Sequence, residues 1–61
     1  MELVCILRLV KTTVGAYKYQ EVDHEGNIVT NFKHSLIGSL YIRKDRLETP
    51  PEEIAITITS R

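Results

Sequence analysis

The chain has 61 residues, which is room for a single small domain over residues 1–61, near the lower size limit for one hydrophobic core. Eight Lys and Arg residues balance eight Asp and Glu residues, so the formal net charge is zero and no overall field attracts nucleic acid or anionic lipid. Cys5 is the single cysteine, which excludes an internal disulfide.

Targeting signals are not predicted. The chain begins Met1-Glu2 without the basic start of a signal peptide, and no stretch approaches the length of apolar sequence that a membrane span needs. An unpaired cysteine fits a reducing compartment. We therefore expect a cytoplasmic protein that does not contact a membrane.

The first half of the chain predicts two strands. Residues 2–10 are apolar almost throughout and rich in branched side chains, which is typical of a strand covered on both faces. Gly15 then suits a hairpin loop as a residue with positive φ. Residues 17–22 alternate Tyr17, Tyr19 and Glu21 on one side with Lys18, Gln20 and Val22 on the other, which predicts a half-exposed second strand.

The second half predicts two more strands. Residues 23–27 read as a turn that leads into a further hairpin, whereas residues 28–36 give no clear signal. Residues 37–44 follow as a strand in which Gly38 marks a bulge or a close backbone approach. The last strand is the clearest, because Ile54, Ile56 and Ile58 alternate with smaller or polar residues.

A short helical turn is predicted between the last two strands. Thr49, followed three residues later by Glu52 with Pro50 between them, resembles a capping box. The fold class is therefore all-β, a small single domain of four to five mostly antiparallel strands. The sheet is a curled sheet or a partly open barrel, with at most one short helical turn near residues 49–53.

The apolar face of such a sheet needs a cover, and the sequence offers no helix for it. Folding buries about 6,000 Å², worth on the order of 90 kcal/mol if roughly 60% is apolar. Ordering the chain at ~1.5 kcal/mol per residue costs about the same. Either the sheet curls over itself or it packs against a second chain. Because the gain from burial only just matches the cost of ordering the chain, we favour a homodimer.

The residues capable of chemistry form no catalytic or metal-binding pattern. Cys5 lies in an apolar run that raises a thiol pKa, so we interpret it as a small buried hydrophobe. The spacing of His24 and His34 matches no compact metal motif. The carboxylates at residues 21–25 and 52–53 are interpreted as solvated surface. We expect no enzyme activity, no cofactor and no metal.

A basic and aromatic stretch is the remaining candidate for a binding site. Tyrosine rings that alternate with Arg and Lys on an open sheet suit stacking on bases and contact with phosphates. Charges at a strand end also prevent sheet aggregation, and this second interpretation is the favoured one. The predicted binding residues are Tyr17, Tyr19, Tyr41, Arg43, Lys44 and Arg46.

The predicted function is that of a small non-enzymatic binding or accessory protein that acts through a macromolecular interface. A protein partner is favoured over nucleic acid, and single-stranded nucleic acid or DNA bound on the basic, tyrosine-bearing face is the alternative. An uncovered edge such as the final "AITITS" would also pair with an extended peptide.

Overall fold

The computed structural model describes residues 2–61, apart from the side chain of Phe32. Its single sheet has the order β3-β2-β1-β4, every neighbouring pair is antiparallel, and the sheet curls strongly into a half-barrel. This confirms the all-β prediction. The strands are β1 (Glu2–Thr12), β2 (Ala16–Val22), β3 (Ser39–Arg43) and β4 (Glu53–Thr59).

The buried side of the sheet, which we call the inner face, carries the core. Cross-strand register places Leu9 of β1 opposite Tyr19, and Tyr19 opposite Leu40, so these side chains share that face. Tyr19 and Leu7 are fully buried. The buried centre consists of Cys5, Leu7, Tyr17 and Tyr19, and half-buried apolar side chains pack around it: Leu9, Ile37, Leu40, Ile42, Leu47, Ile54 and Ile56.

The exposure of β1 and β2 differs from both predictions. β1 is central in the sheet but is not covered on both faces, because Val4 and Ile6 of the opposite, outer face are exposed. β2 is not half exposed, since no residue of it is exposed: Tyr17, Tyr19, Glu21 and Val22 are buried and the others are partly buried. Alternation located the faces correctly, but it did not show which face the chain would cover.

The predicted helical turn near residues 49–53 is wrong. Helical turns of 3-10 type lie at Phe32–His34 and Lys44–Arg46 instead. Thr49 and Pro50 each precede a proline, and that position disfavours helical backbone angles. Residues 49–52, which we call the proline segment, are held by residues of the sheet. The Tyr19 hydroxyl donates to the Pro51 carbonyl at 2.7 Å, and the Leu9 N–H donates to the Glu52 carbonyl at 2.8 Å.

The second predicted hairpin reduces to one bridge. Residues 23–27 form the predicted turn, in which the Asp23 carboxylate accepts the N–H groups of Glu25 and Asn27, each at 2.9 Å. Beyond it, Ile28 pairs with Val22 as an isolated bridge and residues 29–31 form no strand. Four strands therefore form, and residues 28–38 become a folded connection to β3.

Glycine conformations correct one further prediction. Gly15 does not adopt positive φ, whereas Gly26 (φ 89°) and Gly38 (φ 87°) do. The β1–β2 turn is closed by Thr13, whose hydroxyl accepts the Ala16 N–H at 3.0 Å and donates to the Ala16 carbonyl at 2.9 Å. The loop therefore does not need a left-handed residue.

Two glycine substitutions should have opposite effects on stability. A Cβ at Gly15 meets no atom within 4 Å, so Gly15→Ala should raise the free energy of unfolding by about 0.4–1 kcal/mol by restricting the unfolded chain. Gly26→Ala forces an L side chain into the left-handed region and should lower it by about 1–2 kcal/mol. Urea unfolding at one fixed protein concentration measures both. Equal effects of the two variants would contradict the assignment of the turns.

Candidate functional site

A buried carboxylate organises the connection between β2 and β3. Glu21 is 7% exposed, and its Oε1 accepts the successive backbone N–H groups of Leu36, Ile37 and Gly38 at 2.8, 2.8 and 3.0 Å. The Glu21 backbone also takes part, because its N–H donates to Gly38 and its carbonyl accepts from Val29. Residues 28–38 are thus folded around one side chain.

The pKa of Glu21 reflects two opposing effects. Burial alone would raise the pKa of this carboxyl, but the backbone N–H donors of Gly38, Ile37 and Leu36 outweigh it, and the pKa lies below its ordinary value. The Cys5 thiol has its pKa raised by burial and, next, by the neighbouring Glu21 charge. Burial of Cys5 is confirmed, and Glu21 is an anionic structural anchor.

Sequence reasoning missed this role for Glu21. The acidic residues around it suggested a solvated cluster, but Glu21 belongs to the strand and Asp23 to the exposed turn. One signal was available, since Glu21 is in phase with Tyr17 and Tyr19, so burial of the tyrosines requires burial of the carboxylate. Residues 28–36, which had no assigned role, supply the cover over it.

The predicted binding residues separate onto the two faces of the sheet. Tyr17 and Tyr19 do not join the exposed face, because their register partners are Ile42 and Leu40 of the core. Tyr41 is opposite Lys18 instead and is 59% exposed. The shared face predicted for the three tyrosines is wrong because alternate residues of paired strands lie on opposite sides of a sheet.

The three basic residues of the predicted site differ in their surroundings. Arg43 is exposed and forms an ion pair with Asp45 at 3.3 Å. Lys44 is half-buried, with its Nζ 5.6 Å from the centre of the Tyr17 ring, the geometry of a cation–π contact. Arg46 is exposed beside it in the 3-10 turn. The stretch therefore does not present one continuous set of free cations.

The outer face brings together a basic group that the sequence did not reveal. Register aligns Lys11 with Lys18 and Lys18 with Tyr41, so the three form a row across β1, β2 and β3. The row exists because a bulge between Leu9 and Lys11 shifts the pairing of β1. Further along, Arg8 is paired with Glu53 at 3.0 Å. The outer face therefore has a basic, tyrosine-bearing end at Lys11.

The edge strand β4 has one side without a partner within residues 2–61. The Leu9 N–H bonds to Glu52, which fixes the alternation of the β1–β4 ladder: Ile54, Ile56 and Ile58 direct their backbone N–H and C=O groups toward β1. The groups of Ala55 and Thr57 therefore point away from the sheet. At alternate residues along its seven positions, β4 therefore presents donors and acceptors that no described residue pairs.

Apolar side chains flank that edge. Ile58 on the inner face is 41% exposed, although its neighbours Ile54 and Ile56 are half-buried against the core. Leu3, which is opposite Ile58 in β1, is also exposed. The inner face is therefore incompletely covered where β1 and β4 meet.

Residues 2–61 enclose no pocket and bring no three His, Cys, Asp or Glu side chains within reach of one metal ion. His24 and His34 are both exposed. Among the described residues there is also no helix that is long and apolar enough to cross a membrane.

Comparison with known proteins gives no relative. No protein-family model matches the chain, and no curated protein or solved structure matches it significantly. The surfaces of the chain itself therefore carry the functional argument.

The Glu21 anchor predicts a specific loss of stability. Glu21→Gln keeps the shape of the side chain but replaces charge-assisted hydrogen bonds with weaker neutral ones, so the free energy of unfolding at pH 7 should fall by about 1–3 kcal/mol. The native pKa lies below the ordinary value of 4.5, so protonation favours the unfolded chain. The contribution of the Glu21 charge to the free energy of unfolding is therefore complete above pH 4.5 and is lost as the pH falls below that value.

Urea unfolding from pH 7 down to pH 3 measures this difference. The curves of the wild type and Glu21→Gln should converge as the pH falls. Glu25→Gln is the matched control, because it removes the same charge at an exposed turn position. Its free energy of unfolding should stay within about 0.5 kcal/mol of the wild-type value. A constant gap between wild type and Glu21→Gln at all pH values would contradict the anchor.

Proposed function

We propose that this chain is a non-enzymatic binding protein that recognises another protein by strand addition at β4. The observation that carries the proposal is the free edge of β4, where Ala55 and Thr57 present unpaired backbone groups to an incoming strand. An extended partner would gain main-chain hydrogen bonds, and its alternate side chains would contact the exposed part of Ile58. The unpaired Cys5 fits a cytoplasmic location.

The opposite edge of the sheet supports the choice of β4. β3 has five residues, and its outward backbone groups belong to Ser39, Tyr41 and Arg43. It ends in the ion-paired Arg43 and turns at once into the 3-10 turn at Lys44–Arg46. Short length, charge and an abrupt turn are features that protect an edge from pairing. Within β4 the single charge is Glu53 at its start.

A peptide titration followed by two-dimensional NMR tests the proposal, at a protein concentration where light scattering gives the mass of one chain. The probe is a soluble peptide of seven alternating Val and Thr residues, with a Lys at each end. Binding should move the amide signals of Ala55 and Thr57 and slow their hydrogen exchange at least about tenfold, because these N–H groups become paired. Signals of Ser39 and Tyr41 should remain in place.

Two controls make the titration specific. The same peptide with N-methyl groups at alternate residues cannot form a ladder and should not bind. Thr57→Pro removes an N–H that points away from β1, so it should abolish peptide binding and leave the fold intact. Equal shifts with the methylated peptide, or shifts spread over the outer face, would contradict strand addition.

Nucleic-acid binding on the outer face is the second candidate. The row of Lys11, Lys18 and Tyr41 combines cations and an exposed ring on one surface, as single strands require. Against it stands the zero net charge of the chain, which provides no long-range attraction. The candidate therefore depends on this local row alone.

Fluorescence anisotropy with a mixed-sequence single-stranded oligonucleotide tests the second candidate. If the row contacts phosphates, log affinity should fall with log salt with a slope of about −0.7 per phosphate neutralised. Lys18→Glu should then weaken binding at least about tenfold, while Lys33→Glu, in the exposed turn at Phe32–His34, should weaken it much less. Equal losses in both variants would show unspecific charge attraction and not a site.

A further inference from the structure

We propose that the strand added at β4 is β4 of a second copy of this chain, so that two half-barrels join into one continuous antiparallel sheet. The inference rests on the proposed function, because it names the partner for the same edge. In this arrangement the molecule recognises itself, and the two β3 strands, with their protected edges, become the ends of the joined sheet.

The isolated chain exposes more surface than a compact monomer of its mass. Its accessible surface is 4826 Å² for 7.0 kDa, whereas a compact folded monomer of that mass exposes about 4,000 Å². The surplus of about 800 Å² equals one side of a standard protein interface. The radius of gyration of 12.0 Å also exceeds the roughly 10.5 Å expected for a compact domain of this length.

The thickness of the molecule gives the reason for the surplus. The chain measures 32 × 28 × 16 Å, and its four strands form one sheet. Domains are usually built from at least two packed layers, because a single sheet leaves part of its apolar face in water. Here the uncovered part is at the β1–β4 side, where Leu3 and Ile58 are exposed. A partner strand at β4 would therefore lie beside this exposed apolar surface.

The alternation of β4 specifies the register. The outward backbone groups belong to Ala55 and Thr57, so an antiparallel copy forms its ladder when Ala55 of one chain faces Thr57 of the other. The two-fold axis then passes between the two Ile56 residues, and the strands overlap over the full length of β4. A two-fold axis makes this interface self-complementary.

The side chains agree with that register. Ile54 of one copy faces Ile58 of the other on the inner face, and Ile56 faces Ile56, so the apolar row continues across the axis. Glu53 faces Thr59, and therefore no two like charges oppose each other. A shift by one residue would place inner-face side chains opposite outer-face ones, which the period of the strand disfavours.

Light scattering with size-exclusion chromatography provides the first test, with the full chain from about 1 to 500 µM. We expect a mass of twice 7.0 kDa at the higher concentrations. Thr57→Pro should raise the dissociation constant at least about tenfold, because one ladder donor on each chain is lost. Thr57→Val keeps the N–H and should remain dimeric, and circular dichroism should show that both variants keep the sheet.

Disulfide trapping provides the second test and reads the register directly. In a Cys5→Ala background, which removes the thiol opposite position 56, Ile56→Cys places two thiols across the axis. The Cα atoms of such a pair lie about 4.5 Å apart, within the range of a disulfide. Oxidised glutathione should therefore cross-link this variant at least about tenfold faster than Ala55→Cys or Thr57→Cys in the same background.

The outcomes separate this inference from the proposed function. A monomer up to 500 µM would overturn the second copy as partner, while peptide binding at Ala55 and Thr57 would still uphold strand addition. A dimer that Thr57→Pro leaves intact would overturn the β4 interface itself. Fastest cross-linking of Ala55→Cys would overturn the register. A dimer that Thr57→Pro dissociates and that Ile56→Cys traps supports the inference in full.

Discussion

The buried charge of Glu21 holds the segment between β2 and β3 in place, and the position of β3 depends on it. Three successive N–H groups converge on one carboxylate, a concave arrangement of backbone donors that binds anions in many proteins. Here the anion belongs to the chain itself. Gly38 makes the arrangement feasible, because its positive φ turns the backbone toward β3 while its carbonyl accepts the Glu21 N–H.

A polar anchor of this kind compensates for a core that is very small. Among the described side chains, the largest that are fully buried are Leu7 and Tyr19, and even Tyr19 uses its hydroxyl to hold Pro51. Hydrogen bonds thereby fix both long connections, residues 28–38 through Glu21 and the proline segment through Tyr19. A desolvated carboxylate with satisfied donors rigidifies its surroundings, whereas the loss of those donors would leave a charge buried without compensation.

The sequence predicted the parts of the fold that follow from period two. β4 and the all-β class were readable because Ile54, Ile56 and Ile58 alternate without interruption. The covered face of β2 was not readable, since Tyr and Glu alternate with Lys and Gln as they would on a half-exposed strand. That choice depends on Leu36 and Gly38, at least fifteen residues further along the chain, through contacts that no local pattern contains.

The candidate site was predictable to the same limited extent. Alternation located Tyr41 and Arg43 on one strand face, but the row with Lys11 and Lys18 arises from a bulge that the sequence does not mark. The separation of Tyr17 from Tyr41 required the pairing register, because only the register shows that the rings of β2 lie on the inner face and the ring of β3 on the outer face. The sequence therefore predicted which residues alternate within one strand, but not which residues of different strands become neighbours.

The two edges of the sheet differ in the features that protect an edge strand from pairing. A sheet of four strands that closes into a barrel would pair β3 with β4, but the segment 44–52 between them crosses from one edge to the other and leaves both edges apart. β3 is shortened and charged at its end, as edges that face water usually are. β4 lacks such protection along Ala55 to Thr59, so this edge, with exposed Ile58 beside it, is open to pairing with another strand.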